Sequence, residues 1–355
     1  MTALKFAVAL VVAISYSVPV VPASGQEKRM TIEGFAPELP IAIAGTAWFI
    51  FLDGAIDSAA ASRLEQYIKR HRIPERSFVY LNSPGGSLIA GIELGRLIRK
   101  YGLSTDVGKR AVGAIRRFDV EAGRCYSAWA YAYLGGQFRY LKQGSRYGVH
   151  QFSTASPKGG DEGTAQIAAA IIVEYMRSMD VDTELFSLSV SAAPKGINEI
   201  DTQTLERLNA VNGGRTRPVW TIESTEGQLY FKGERMTAES GINKFMLFCS
   251  EGRKVMLYAI FDALRRDDEL MLFPAHSLLV DDQEFRINVE SKSIRNGWYN
   301  GIYGLSLREI QALRNANQVG VSLRFAYDAP VFFGFQGMPL ADGRQKLLGL
   351  LNQCN

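Results

Sequence analysis

The chain has 355 residues, 47% of them hydrophobic and 21% charged, close to globular averages, which excludes disordered, collagen-like and coiled-coil architectures. Forty Lys and Arg against 36 Asp and Glu leave +4 without a basic run, so nucleic acid is not an implied partner. Three scattered histidines (His71, His150 and His276) offer little for a metal site, and three cysteines allow one disulfide with one thiol left over.

The first element in chain order is residues 1–25. Lys5, an apolar run over 6–14 and the small residues Ala23, Ser24 and Gly25 form the pattern of a cleavable secretory signal, cut near Gly25. The run is shorter than the roughly 20 residues a membrane span requires, and Pro19 and Pro22 would interrupt an anchoring helix. An exported chain is therefore expected, with no membrane span after cleavage, in a compartment that permits disulfides and lacks ATP, coenzyme A and nicotinamide pools. No cofactor is implied. The remaining length suits two domains, at about 100 to 200 residues each, and these are expected over 26–215 and 216–355.

Between residues 41 and 212, short apolar strands alternate with amphipathic helices, which argues for an α/β domain with a parallel sheet. Strands are expected at 48–52 and 77–81. Helices are expected over 59–72, through Leu94, Leu97, Ile98 and Tyr101, and over 165–179, whose stripe of Ile171, Ile172, Tyr175, Met176 and Met179 reads as core or as a subunit interface. After the turn-rich segment 212–218 the pattern changes to alternating strands and hairpins with two helices, 306–316 and 341–351, and a mostly β (α+β) domain follows. Cys249 ends one of these strands and Cys354 follows the last helix. A bridge between them is expected, leaving Cys125 as the free thiol.

Three segments of the first domain carry potential chemistry. In Asn82-Ser83-Pro84-Gly85-Gly86 the two glycines let a strand turn sharply into a helix and present N–H groups to an acceptor, although such a turn is often only a turn. In Cys125-Tyr126-Ser127-Ala128-Trp129, a serine opens a helix, where it can serve as a nucleophile or as an N-cap. In Gly148-Val149-His150-Gln151, a histidine ends a short strand, within reach of a general-base role if strand and helix return it to Ser127. Cys125 is a rival nucleophile, but its position two before Ser127 directs it to a different face.

Taken in this order, the three segments resemble the ClpP-like branch of the ClpP/crotonase superfamily, nearest to periplasmic ClpP-like proteins of bacteria. The resemblance covers about residues 48–211. It implies a βαβ spiral domain and a periplasmic or secreted serine hydrolase, a peptidase acting on peptide or protein without ATP. Ser127 would match the nucleophile and His150 the base. The amides of Gly85 or Gly86 together with that of Ala128 would match the oxyanion hole. Asp201 is the nearest match to the acidic third member, with Asp180 or Asp182 as alternatives. The helix over 165–179 would correspond to the handle helix through which subunits pair. Tyr126 and Trp129 are bulkier than the family's pattern, and the basic segment 108–123 is longer, either a lid or a solvated loop. A non-catalytic binding protein that retained the fold is the alternative. A serine–lysine dyad with Lys109 or Lys142 ranks below it, as does a crotonase-like acyl-CoA enzyme, whose cofactor is missing outside the cytoplasm.

Overall fold

The computed structural model describes residues 29–37, 47–83, 85–113, 119–151, 162–192, 196–250 and 253–354; the expected signal over 1–25 lies outside them. The protein is mixed α/β. Its elements run β1 (Thr31–Phe35), β2 (Phe49–Asp53), α1 (Ala60–His71), β3 (Phe78–Asn82), α2 (Leu88–Lys100), β4 (Ser104–Arg110), β5 (Val120–Ala122), β6 (Arg124–Tyr126), α3 (Ala128–Leu134), β7 (Arg146–Val149), α4 (Glu162–Ser178), α5 (Glu184–Val190), β8 (Asn198–Glu199) and α6 (Thr202–Arg207). There follow β9 (Val219–Thr225), β10 (Gln228–Thr237), β11 (Gly241–Cys249), β12 (Val255–Asp262), α7 (Asp267–Leu272), β13 (Ala275–Val280), β14 (Gln283–Arg286), β15 (Asn288–Arg295), β16 (Trp298–Gly304), α8 (Leu307–Asn315), β17 (Gln318–Arg324), β18 (Phe333–Pro339) and α9 (Arg344–Gln353).

β2, β3 and β4 pair in parallel, with β1 and β5 added antiparallel at the edges. The parallel centre follows from the crossovers through α1 and α2, whose apolar stripes (Leu64 and Ile68; Leu94 and Ile98) are buried on it. A second, three-stranded sheet of β6, β7 and β8 joins β3 through a parallel bridge between Ser83 and Cys125. α2 and α3 cross closely. A Cβ on Gly91 would stand 2.4 Å from the Ala128 carbonyl oxygen, so glycine there sets how near α2 comes to the start of α3. Of the basic segment 108–123, Gly108, Lys109 and Arg110 at the end of β4 pair antiparallel with Ala122, Glu121 and Val120 of β5, and residues 114–118 lie outside the described residues.

A buried guanidinium holds the end of this unit together. Arg139 is 1% exposed and donates to five carbonyls, those of Leu134, Gly136, Met179, Asn209 and Ala210. No carboxylate pairs with it among the described residues, and burial pushes it down to about 10. Replacing it with Met would leave those carbonyls without their donor in a dry site. The variant is expected to lose about 3–5 kcal/mol of stability in urea unfolding, and a loss below 1 kcal/mol would contradict the clamp.

A second hydrophobic cluster runs from Trp220 to Cys354, separate from the first, which runs from Met30 to Val211. Here a six-stranded antiparallel sheet (β15-β16-β12-β11-β10-β9) and a four-stranded one (β14-β13-β17-β18) bury alternate residues, as the period of two requires. α8 and α9 fall where the periodicity placed them, and α7 is a short addition that it did not signal. Cys249 and Cys354 are bonded, with Cα atoms 5.4 Å apart, so the end of β11 is tied to the end of α9.

His276 lies in this second core, 1% exposed, with Nε2 on the Phe273 carbonyl at 2.9 Å and Nδ1 on the Tyr303 hydroxyl at 3.0 Å. Tyr299 extends the chain through Tyr303, and the Lys292 ammonium shares the Phe273 carbonyl. Burial first, and Lys292 in part, hold His276 below its ordinary value near 6.5. The folded state therefore favours neutral imidazole. Its contribution is complete above the unfolded value and declines as pH falls through about 6.5, because the unfolded chain takes up a proton first. Urea midpoints measured from pH 7.5 to 5 should fall, and His276→Gln should flatten that slope; an unchanged slope would contradict the assignment.

Among the described residues no helix is long and apolar enough to cross a membrane.

Candidate active site

Two turns lie side by side where β3 and β6 end. The Ser83 N–H donates to the Arg124 carbonyl at 2.7 Å, and the Tyr126 N–H donates back to the Ser83 carbonyl at 3.3 Å. The strand therefore delivers Gly85-Gly86 beside Ser127: a Cβ on Gly85 would stand 3.4 Å from Ser127 Cβ and 3.7 Å from its Oγ. Asn82 steadies the approach, accepting from the Arg124 N–H at 3.0 Å and donating to Asp53 at 2.9 Å. The Ser83 hydroxyl closes a small ring with the Gly85 N–H and carbonyl, both at 3.3 Å.

Ser127 takes φ 58 and ψ −123, a left-handed backbone that a non-glycine residue adopts at a cost of about 1–3 kcal/mol. It occupies the N-cap position of α3, yet its side chain makes no capping hydrogen bond, so the N-cap explanation of this serine does not hold. Its own N–H is committed to the Gly148 carbonyl at 3.1 Å. Gly86, at φ 147, donates its N–H to no described residue, and neither does Ala128 at the first position of α3. A Cβ on Gly86 would meet the Ile56 backbone at 2.6 Å, so the turn tolerates no side chain there.

His150 follows β7, which pairs in parallel with β6 through Tyr126 and Gly148, so Ser127 and His150 leave adjacent strand ends. Its Nδ1 lies 2.7 Å from the Gln151 carbonyl oxygen. A carbonyl only accepts, so Nδ1 carries a proton, and in the neutral ring the lone pair falls on Nε2. No hydrogen bond joins Ser127 and His150 among the described residues.

The expected third member is elsewhere. Asp201 is the N-cap of α6, accepting from the Thr204 N–H at 2.8 Å and its hydroxyl at 2.7 Å, and these bonds hold its carboxyl below the usual range. Past the pair of Gly148 with Glu199, the Ile200 N–H donates to the Tyr147 carbonyl at 3.0 Å, so the chain runs away from His150 toward Asp201. Asp182 caps the Glu184 N–H, and Asp180 accepts from Asn209 at 2.9 Å, so neither alternative takes its place. Gln151, whose carbonyl the His150 ring meets, is itself pinned by its N–H on the Ala192 carbonyl and its side-chain amide on the Val190 carbonyl at 2.7 Å. A backbone carbonyl leaves no side-chain signature, so no motif could have marked it.

The bulky neighbours do not crowd the serine. Trp129 is fully buried, donating to the Gly54 carbonyl at 3.0 Å, and Tyr126 turns its hydroxyl to Glu199. Cys125 is fully buried and burial pushes its thiol up, which removes it as a nucleophile. Lys109 pairs with Glu121 on the hairpin at 3.3 Å, so it offers no free amine for a serine–lysine dyad. In α4, Ile172, Tyr175, Met176 and Met179 beyond its end are buried within the domain, while Ile167 is 64% exposed.

No protein-family model matches the chain, and no curated protein is significantly similar to it.

Proposed function

We propose that this protein is an exported, ATP-independent serine hydrolase with a ClpP/crotonase-like first domain, acting on peptide bonds with Ser127 as nucleophile. The observation that carries the reading is the strained backbone of Ser127, which holds an uncapped hydroxyl against the Gly85-Gly86 turn. His150 Nε2 would take the Ser127 proton as Oγ attacks the scissile carbonyl, and would return it to the departing amine. The Gly86 and Ala128 amides would receive the oxyanion. Water, deprotonated by the same imidazole, would then release the acyl group and regenerate the hydroxyl. In this reading the Gln151 carbonyl replaces the acid, orienting the ring through Nδ1. Export rests on the leader-like 1–25 segment, and pairing of subunits through α4 rests on its exposed apolar residues.

A non-catalytic binding protein of the same fold is the second reading, favoured by the lack of a Ser127–His150 hydrogen bond among the described residues. An alkyl fluorophosphonate probe decides between them. The expected result is one covalent adduct, located at Ser127 by mass spectrometry. Folded protein that stays unlabelled, or a Ser127→Ala variant that labels equally, would overturn the hydrolase reading.

A further inference from the structure

Two segments of the second domain bring large apolar side chains out into water at one place. Leu272 at the end of α7 is 78% exposed, and between β17 and β18 Phe325 is 75% and Val331 71% exposed. All three line one open groove of about 460 Å³, together with Phe273, Pro330 and Phe333. The Phe333 ring lies 5.6 Å from that of Phe273, and the Arg266 guanidinium stacks on it at 4.6 Å. Apolar residues exposed singly are ordinary on a surface, whereas several large ones around one groove mark a face that another surface covers. Strand addition is not the mode of covering. β18 is an edge strand with a register shift against β17, and Arg235 already occupies its Gln336 and Gly337 carbonyls.

The charges at the groove decide what kind of surface fits. Of those that line it, Arg266 and Glu269 are paired at 2.6 Å and cancel each other. Arg265, Asp267, Asp268 and Asp328 are exposed and each is the chain neighbour of a lining residue, while Arg286, also exposed, stacks on the Tyr327 ring at 4.1 Å. None of these five has an ion-pair partner among the described residues. Three unpaired carboxylates repel an anionic bilayer, and two unpaired guanidiniums give no reason for a purely basic partner. A surface with the same mixture of signs is complementary, and a two-fold axis supplies it, because the cations of each copy then meet the carboxylates of the other. The shape agrees. Leu272 and Phe325 project beside a groove that can receive such side chains, so one face offers the projection and the recess that a self-complementary contact requires.

We infer that this face of the second domain docks a second copy of the chain in a two-fold contact, in which Leu272, Phe325 and Val331 of each copy are covered by the other and the unpaired charges around them meet in opposite-sign pairs. The face shares no residue with the Ser127 turn or with α4, so it depends neither on the hydrolase reading nor on pairing through α4.

Sedimentation velocity of the purified protein through the micromolar range tests it, with Ile167→Asp as the parent so that α4 contributes no association. A monomer–dimer equilibrium is expected. Phe325→Asp and Leu272→Asp, both at exposed positions, should each weaken it about a hundredfold or more, since a two-fold axis counts every substitution twice; circular dichroism checks that the fold is kept. The charges have a readout of their own. Arg265→Glu with Arg286→Glu makes the face acidic, and Asp267→Lys, Asp268→Lys and Asp328→Lys together make it basic. Each of these two proteins should self-associate about tenfold or more weakly than the parent, and their mixture should form the heterodimer. A parent that stays monomeric, folded Phe325→Asp that dimerises as the parent does, or a mixture that pairs no better than its components would overturn the inference. So would a monomer that floats with vesicles of phosphatidylethanolamine and phosphatidylglycerol, which would give the face to a bilayer.

Discussion

His150→Gln should slow fluorophosphonate labelling of Ser127 on the order of a thousandfold or more, with the fold retained. The side chain of His150 is half-buried, and its one hydrogen bond among the described residues is to the carbonyl of the next residue, so a glutamine of similar length costs the core little. It cannot, however, accept a proton from the serine. Circular dichroism and the urea midpoint check the fold, and the labelling rate under excess probe checks the chemistry. A labelling rate within a few-fold of wild type would remove the general base from the proposal. Asp201→Asn is the companion experiment. Its two oxygens are spent on Thr204 at the start of α6, so labelling should stay within about twofold of wild type. A collapse in rate with an intact fold would return Asp201 to the site and displace the Gln151 carbonyl from the orienting role.

A second large effect, on stability, belongs to the disulfide. Cys249 and Cys354 are 105 residues apart in sequence, and opening a loop of that size restores to the unfolded chain an entropy equivalent to about 4.7 kcal/mol. The bridge pins α9 against β10 and β11, where Leu347, Leu350 and Leu351 are buried, so its loss loosens the second core and not the first. Trp220 reports on that core, stacked 4.8 Å from Phe231 and donating to the Pro339 carbonyl at 2.8 Å. Reduction, or the paired change Cys249→Ser and Cys354→Ser, should therefore shift the denaturant midpoint seen by Trp220 fluorescence. Labelling of Ser127 should survive at denaturant concentrations where the Trp220 signal is already lost. A midpoint that reduction leaves unchanged would show that the bridge closes a loop already held by packing.

Much of this protein is legible from hydrophobic spacing. The stripe of Leu64 and Ile68 gave α1 to within a residue, and the alternation through β11 and β12 gave a sheet with one buried face. Side chains that must leave water impose their period locally, so helix, strand and the change of pattern near residue 215 can be read without a partner in view. The cysteine count and the expected export pointed to the bridge that the structure contains. The three segments around Gly85, Ser127 and His150 were likewise visible as residue types in order.

Only the tertiary structure decided what those residues face. Ser127 is strained and uncapped because β6 and β7 pair in register and α2 closes on Ala128, contacts between segments distant in sequence. Asp201 turned out to cap a helix, a local bond that any N-terminal aspartate can make and that competes directly with a distant histidine. The partners that the structure gives His150 and Arg139 are backbone carbonyls: that of Gln151 for the one, and five for the other. Every residue carries a carbonyl, so nothing in residue identity says which one a long-range fold will bring to a buried donor.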